Sequence, residues 1–539
     1  MKRFFSNDYF ISIALFATAL VSRIPFHDRI LFFWDSGDFA LALERFDLAK
    51  QQPHPPGYLF YIAIAHIFNF VLKDANNALV ALSILGGSIS IVIIFFVGKS
   101  IFGRDVGITA AILLLFSPLA WFYSEVALAY EVELPLVLAA VWFLYQMYYF
   151  RRYAIATALL LGLAAGIRQD ILLFLGPFFL IASTRVGVRF MLLSWAAMAV
   201  AITTWFIPIT FSVGGISTLR FLYANQFDIA IRPTSILALG PRAVINNGKE
   251  IIKAALWLFG ITILVPVLMG IQRLKGSDHW RAAKPDRRAF FIMVLMLPAF
   301  IYFLFIQCMQ PSYIVSYIAP LLLVTAYMIV LAVKRLTELN ILSRFRPEGA
   351  AFNLILVGVL TLVSASHIYL FVNGLDTKEI ISVNDGYDSV FSSYSVKGLR
   401  NSEENMFALI IAVRQFDPEK TVVFCNNSDN LEDWRRLMYY LPEYRVVGLI
   451  VSGPWAGKEY LDANNHEMRV QQSSEIDLLP GQQQALFIDV VPEGGDVTSK
   501  TIVFSQDNSI MPISVVNLTK GIAFKVGFYY FTFDKDQTE

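Results

Sequence analysis

Charge is what this sequence has least of. Only 16% of its 539 residues are Asp, Glu, Lys or Arg, against roughly a quarter in an ordinary soluble domain, while 56% are hydrophobic. That balance argues against a soluble globule. A net charge of +1 leaves no reason to expect nucleic acid as a partner. Two cysteines, Cys308 and Cys425, form neither a disulfide framework nor a metal-ligand spacing, and they leave the redox compartment open. The apolar stretch from Tyr9 to Val21 is followed by Arg23, Pro25 and His27 with no small-x-small cleavage site, so it reads as an uncleaved first span. No internal repeat or low-complexity segment stands out.

What the chain has instead is long apolar runs. Ala78 to Val97, Leu134 to Phe150 and Pro311 to Val333 can cross, or nearly cross, a hydrocarbon layer of ~30 Å at about 1.5 Å per residue. Up to residue 371 the chain is expected to be helical in lipid, since helices satisfy every backbone group there. Short basic connectors stay cytoplasmic as a rule. They are Lys2/Arg3, Lys99/Arg104, Arg151/Arg152, Arg185/Arg189, the run Arg273 to Arg288, and Lys334 to Arg346. Placing them inside puts residues 25–77, 122–131, 167–171, 210–250, 307–312 and the tail outside. Parity then favours a re-entrant or interfacial Tyr58 to Leu72, short and holding His66 and Asn69; the alternative, a full crossing there, puts Lys99 and Arg104 outside. The expectation is a polytopic α-helical membrane protein of about 11 transmembrane helices, N-in and C-out, with the membrane domain at 1–371.

After residue 372 polar residues rise and apolar runs shorten. Residues 402–415 and Leu431 to Tyr440 read as helices; Thr421 to Cys425, Val446 to Val451, Ala485 to Val491, Lys500 to Phe504 and Ala523 to Phe533 read as strands. Residues 372–539 are therefore expected to form a small extracytoplasmic α/β domain.

The first outer loop, FFWDSGDFALALERFDLAKQQPHPPGYLFY at 32–61, places Asp35 and Asp38 near the start of a helix expected from Phe39 to Lys50. Helix capping accounts well for one such acid and less well for two. The functional reading makes Asp35 a general base that takes a proton from an acceptor hydroxyl, with Asp38 orienting it or helping to hold a cation. Glu44 and Asp47 read as the solvated face of that helix. His54 stands before Pro55-Pro56-Gly57, prolines suited to a first helical turn, and is a cap, a phosphate partner or a metal ligand.

The second outer loop gathers Glu125, Glu131 and Glu133 with Trp121, Tyr123 and Tyr130. Aromatics at this depth belong to an interfacial belt, but ionisable groups beside a span are functional candidates by default; Glu131 is favoured over Glu125. In GIRQD, 166–170, Arg168 is an outer-side arginine whose planar donors suit a phosphate; pairing with Asp170 or a loop-one acid is the structural alternative. Residues 210–250, with Arg220, Arg232, Arg242 and Lys249, read either as a lid over a lipid phosphate or as solvated headgroup-level charge.

With Asp35-Ser36-Gly37-Asp38 and His54-Pro55-Pro56-Gly57 in one loop, the chain resembles the glycosyltransferase C superfamily, in its protein O-mannosyltransferase-like and lipid A aminoarabinose transferase-like branch. The resemblance runs through the Trp121 to Pro135 loop and GIRQD to about residue 335, though Asp38 stands where the family usually has Glu. It implies an inverting membrane transferase that takes a sugar from a polyprenyl-phosphate donor, with Asp35 as base. Asp38, His54, Glu125, Tyr130, Glu131 and Arg168 would serve substrate, donor phosphate, or a divalent metal ion held by Asp38, His54 or Glu131. A lipid, glycan or protein is the implied acceptor, and the inner (plasma) membrane, with the site facing the periplasm or exterior, the implied location. Competing readings are a lipid-linked sugar transporter or flippase and a noncatalytic envelope-glycan assembly factor.

Overall fold

The computed structural model describes residues 2–274, 286–338, 348–375, 393–426, 432–450, 457–479, 481–488, 492–493, 497–503, 510–518, 524–526 and 529–531. Much of the expected basic connectors at 273–288 and 334–346 lies outside the described residues. The chain divides into two compact units, Met1–His27 with Pro55–Gly398, and Asp28–His54 with Leu399–Glu539. Residues 28–54, which hold Asp35, Asp38 and His54, thus belong with the C-terminal residues.

The first unit is helical. Asp8–Phe26, Ala75–Phe102, Val188–Ser212, Pro241–Ile271, Arg287–Phe305 and Ala350–Asn373 are long and apolar enough to cross a membrane; Arg104–Phe116 with Pro118–Ser124, and Ser312–Ile318 with Leu321–Thr337, form two further spans if each bent pair counts as one. The expected eleven adds Tyr130–Met147, Tyr153–Ala164 and Asp170–Ser183, which are shorter or begin on acids. Leu59–Leu72 has 14 residues, about 21 Å of helix. Its helix starts at Leu59, so Pro55 and Pro56 precede it and do not form its first turn.

Side chains knit the helix ends of this unit into two groups. In one, Asp8 pairs with Lys99 and with Arg104, Arg288 donates to the Ile101 carbonyl at 2.8 Å, and Trp142 and Gln146 both donate to Ser100. In the other, the loops around Glu133, Gln169, Tyr223 and Tyr317 meet, and Asn247 ties Thr234 and Leu304 to Cys308. The basic connectors Lys99, Arg104 and Arg288 all fall in the first group.

The second unit is a mixed sheet with helices. Its strands are β1 (Thr421–Asn426), β2 (Arg445–Leu449), β3 (Tyr460–Asn464), β4 (Glu467–Gln471), β5 (Gln484–Ile488), β6 (Val497–Val503) and β7 (Ile510–Asn517) in the order β4-β3-β2-β1-β5-β7-β6; β8 (Phe524–Val526) and β9 (Tyr529–Phe531) pair separately. β1 runs parallel to β2 and β5, and the outer pairings are antiparallel. Successive side chains leave a strand on opposite faces. On β1, Val423 and Cys425 therefore join a core with Ile30, Leu41, Met406, Trp434 and Leu437, while Val422 and Phe424 join the other with Phe487 and Tyr529.

The expected helices appear as Val396–Val413 and Glu432–Tyr440, and the expected strands at 421, 446, 485 and 500 as β1, β2, β5 and β6. The single strand expected at 523–533 is the short pair β8 and β9, and β3, β4 and β7 were not expected. β3 and β4 close on Asn465 and His466, both in the left-handed region at φ 48° and 61°, the backbone that a two-residue hairpin turn of this twist demands.

Candidate functional site

In the second unit, the loop-one helix spans Trp34–Glu44, earlier than the expected Phe39 start. It begins with Ser36 Oγ accepting the Phe33 N–H at 3.3 Å. Neither aspartate caps it. Three residues apart on one helix, Asp35 and Asp38 present their carboxyls on the same side, and His54 returns to meet them: Nδ1 donates to Asp38 Oδ2 at 3.1 Å and lies 3.8 Å from Asp35 Oδ1. The ring of His54 packs beside Phe39, with centroids 5.7 Å apart.

The two acids differ sharply in environment. The Asp35 side chain keeps 25% of its surface exposed; that of Asp38 keeps none. Asp38 Oδ1 accepts the Nε–H of Arg435 at 2.6 Å, and Arg435 is itself wholly enclosed. Arg435 also donates Nη2 to the carbonyls of Lys50 at 3.1 Å and Gln51 at 2.8 Å, and its Cζ lies 6.0 and 5.9 Å from the Trp34 and Trp434 rings, which stack on each other. A Cβ on Gly37 would stand 3.0 Å from its Cγ. Burial pulls the guanidinium below its ordinary range and Asp38 opposes that. Sequence reasoning missed Arg435: it lies in a distant helix of otherwise ordinary composition.

Glu44, expected on a solvated face, accepts from His466 at 2.6 Å. Asp28, at the loop's other end, is fully buried beside Glu403, and burial followed by that neighbouring charge pushes its carboxyl well above the usual range.

Asp35, Asp38 and His54 each offer one ligand atom, all within 4.8 Å of one another. Two carboxylates and an imidazole suit a divalent cation in kind, with Asp38 keeping its second oxygen for Arg435. Glu131, the other candidate ligand, belongs to the first unit and is not a member of this trio.

The first unit holds the remaining candidates. The Tyr130–Met147 helix carries Glu131 and Glu133 in its first turn, two residues and so about 200° apart. Glu131 turns toward Ser124, and Arg23 is the cation facing both it and Glu125. Glu125 and Glu131 are buried. Glu133 accepts from Tyr317 at 2.7 Å and lies 3.1 Å from Arg168 Nε. Arg168 also donates to Asp170 at 2.8 Å and covers the Tyr130 ring at 4.3 Å. The pairing with Asp170 weighed from sequence is present, and Glu133 joins it.

Two sequence motifs meet here. The Pro56 carbonyl of the Pro-Pro-Gly turn accepts from Gln169 and from Tyr223, and the Gly166 carbonyl accepts from the Phe60 N–H. Gly86 permits the close packing beneath Glu131: a Cβ there would lie 2.4 Å from the Glu131 carbonyl oxygen. Among the basic residues of the 210–250 segment, Arg232 pairs with Asp228 on an exposed surface.

Residues 53–211 match the family described as dolichyl-phosphate-mannose-protein mannosyltransferase, a stretch that holds His54, Glu131 and Arg168 but begins after Asp35 and Asp38. No curated protein matches the chain. ArnT from Cupriavidus metallidurans, solved bound to undecaprenyl phosphate and in the apo state, is similar over 95% of this chain and 98% of its own, at 12% and 13% identity and TM-scores of 0.52 and 0.50. The apo oligosaccharyltransferase of Archaeoglobus fulgidus is 11% identical over 81% of this chain and 64% of its own, at a TM-score of 0.45. Residues 53–211 thus match that family, and the chain shares its fold with ArnT along nearly its whole length.

Proposed function

We propose that this protein moves a sugar from a polyprenyl-phosphate carrier to an acceptor hydroxyl at the non-cytoplasmic face of a cell inner membrane, inverting the anomeric centre. The observation that carries the reading is the convergence of Asp35, Asp38 and His54 on the loop-one helix, with Asp35 left accessible and Asp38 locked in place. An accessible carboxylate beside a fixed one is what a general base and its support require. ArnT, which shares the fold, was solved with undecaprenyl phosphate; that supports a lipid-phosphate donor.

In this reading Asp35 takes the acceptor proton as the hydroxyl attacks the anomeric carbon, and the sugar–phosphate bond breaks. Arg168, over Tyr130 and between Glu133 and Asp170, is the proposed partner of the leaving phosphate, with Glu131 and Glu125 as substrate contacts. A divalent cation held by Asp35, Asp38 and His54 would supply positive charge at the acidic loop. Eleven crossings, N-in and C-out, complete the proposal, supported by the gathering of Lys99, Arg104 and Arg288 at one group of helix ends and of the outer loops at the other. The acceptor is a lipid, glycan or protein hydroxyl.

The test is sugar release from a panel of radiolabelled polyprenyl-phosphate sugars by full-length protein in nanodiscs, wild type against Asp35→Asn. Turnover by wild type with a folded, inert variant supports the proposal. Equal turnover by both removes Asp35 from the chemistry, and no turnover on any donor favours a transporter or an assembly factor.

A further inference from the structure

The C-terminal residues bring a side chain to the acidic loop that the reaction scheme has not yet used. Arg435 sits on the short helix Glu432–Tyr440, whose Trp434, Leu437 and Met438 anchor it in the core against β1 and β2. From there its guanidinium makes three contacts with loop one: Asp38 Oδ1 at 2.6 Å and the carbonyls of Lys50 and Gln51 at 3.1 and 2.8 Å. One planar group thus fastens both limbs of the loop, the helix with the acidic pair and the segment leading to His54. Its remaining amino group rests on the sulfurs of Met438 and Met468, each 3.4 Å away.

A lysine cannot reproduce this, because a single ammonium lacks the fork that addresses a carboxylate and two carbonyls at once. Nor is the arrangement an ordinary stabilising salt bridge. A pair buried this completely gives back in desolvation much of what its attraction supplies, so its retention points to geometry. With Oδ1 held by Arg435, Asp38 offers Oδ2 to His54 Nδ1. The chain Arg435–Asp38–His54 then sets the position of the imidazole beside Asp35.

We infer that Arg435 is the positioning residue of the transfer site, and that carrying it is one task of the C-terminal unit. The inference rests on the proposed transferase reading. Arg435 touches neither donor nor acceptor in this scheme; it acts through Asp38 and His54.

The experiment compares wild type, Arg435→Lys, Arg435→Met, Asp38→Asn and the double variant Arg435→Met/Asp38→Asn, all full-length in nanodiscs. Two quantities are read: kcat and KM on a donor that wild type turns over, and hydrogen exchange of peptides from residues 34–54. Arg435→Met is expected to lower kcat about 100-fold, the scale of a misplaced catalytic group, with donor KM within about threefold and faster exchange in 34–54. Arg435→Lys should recover part of kcat, and the double variant should be no worse than the poorer single one. The double variant also removes the uncompensated charge, so it remains informative should Arg435→Met fold poorly. Unchanged exchange in 34–54, or fast exchange with undiminished kcat, overturns the inference, as does a double variant whose losses multiply. A wild type inert on every donor overturns the transferase reading itself, and is distinguished because failure of the Arg435 assignment alone leaves wild-type turnover intact.

Discussion

Arg168 lies 3.1 Å from Glu133 and donates to Asp170 at 2.8 Å, so one cation stands between two carboxyls in the helical unit. Arg168→Met leaves both acids without their counter-charge, and breaking a buried pair by removing one partner costs about 3–5 kcal/mol. Thermal unfolding in detergent should show a large drop in midpoint. Adding Glu133→Gln should restore part of it; a double variant as unstable as the single one would mean that Glu133 is not coupled to Arg168.

Asp35 and Asp38 should separate in two assays. Asp35→Asn is expected to keep the wild-type unfolding midpoint while losing at least about 100-fold in turnover, the low end for a general base. Asp38→Asn should lower the midpoint as well, since Arg435 loses its buried anion. Paired calorimetry and sugar-release measurements decide this, and identical stability for the two variants would contradict the assigned roles.

At the adjoining glycines, Gly86→Ala should be costlier than Gly87→Ala. The new Cβ meets backbone at 2.4 Å in the first case and the rotatable Ser124 hydroxyl at 2.3 Å in the second. Overpacking of this kind costs typically about 1–3 kcal/mol. Unfolding midpoints rank the two directly, and Ser124→Ala should relieve Gly87→Ala alone.

His466 carries a pH signature. Burial lowers its pKa, but the hydrogen bond to Glu44, the Tyr439 carbonyl and the Glu44 charge together raise it above its ordinary 6.5. A raised folded-state value means stabilisation that is full below the unfolded pKa and is lost as pH rises through the folded one. The unfolding midpoint of wild type should therefore fall relative to that of His466→Asn as pH climbs above about 6.5. Asparagine tolerates the left-handed backbone at this turn, so the comparison isolates the charge. Parallel curves would show that the pair with Glu44 contributes nothing.

What could be read from sequence was what sits close in sequence. Asp35, Asp38 and His54 share one loop, and their pattern of acids, turn and histidine carries its own chemistry. Apolar length identified helices long enough to cross a membrane, and short β-branched runs identified β1 and β2. Arg435 was invisible because its meaning comes from a partner on the far side of the helical unit's sequence, and Arg435-Arg436 on a short helix looks like a solvated charge pair. β3 and β4 were missed because Tyr460–Asn464 and Glu467–Gln471 mix polar side chains on an outer part of the sheet, where burial imposes little pattern. The Phe39 start was misplaced because the cap is Ser36 serving Phe33, within the very string read for its acids.

The division of the chain also sets an order of events in biosynthesis. Residues 28–54 leave the ribosome before residues 55–398, yet the surface they fold against is made from residues 399 onward. At roughly 5–20 residues per second, the acidic loop waits tens of seconds for its partner while the helices between them insert. Such long-range closure is slow, and until it is complete Arg435 cannot reach Asp38. A nascent or truncated form lacking the sheet would therefore occupy the membrane without a formed acidic centre.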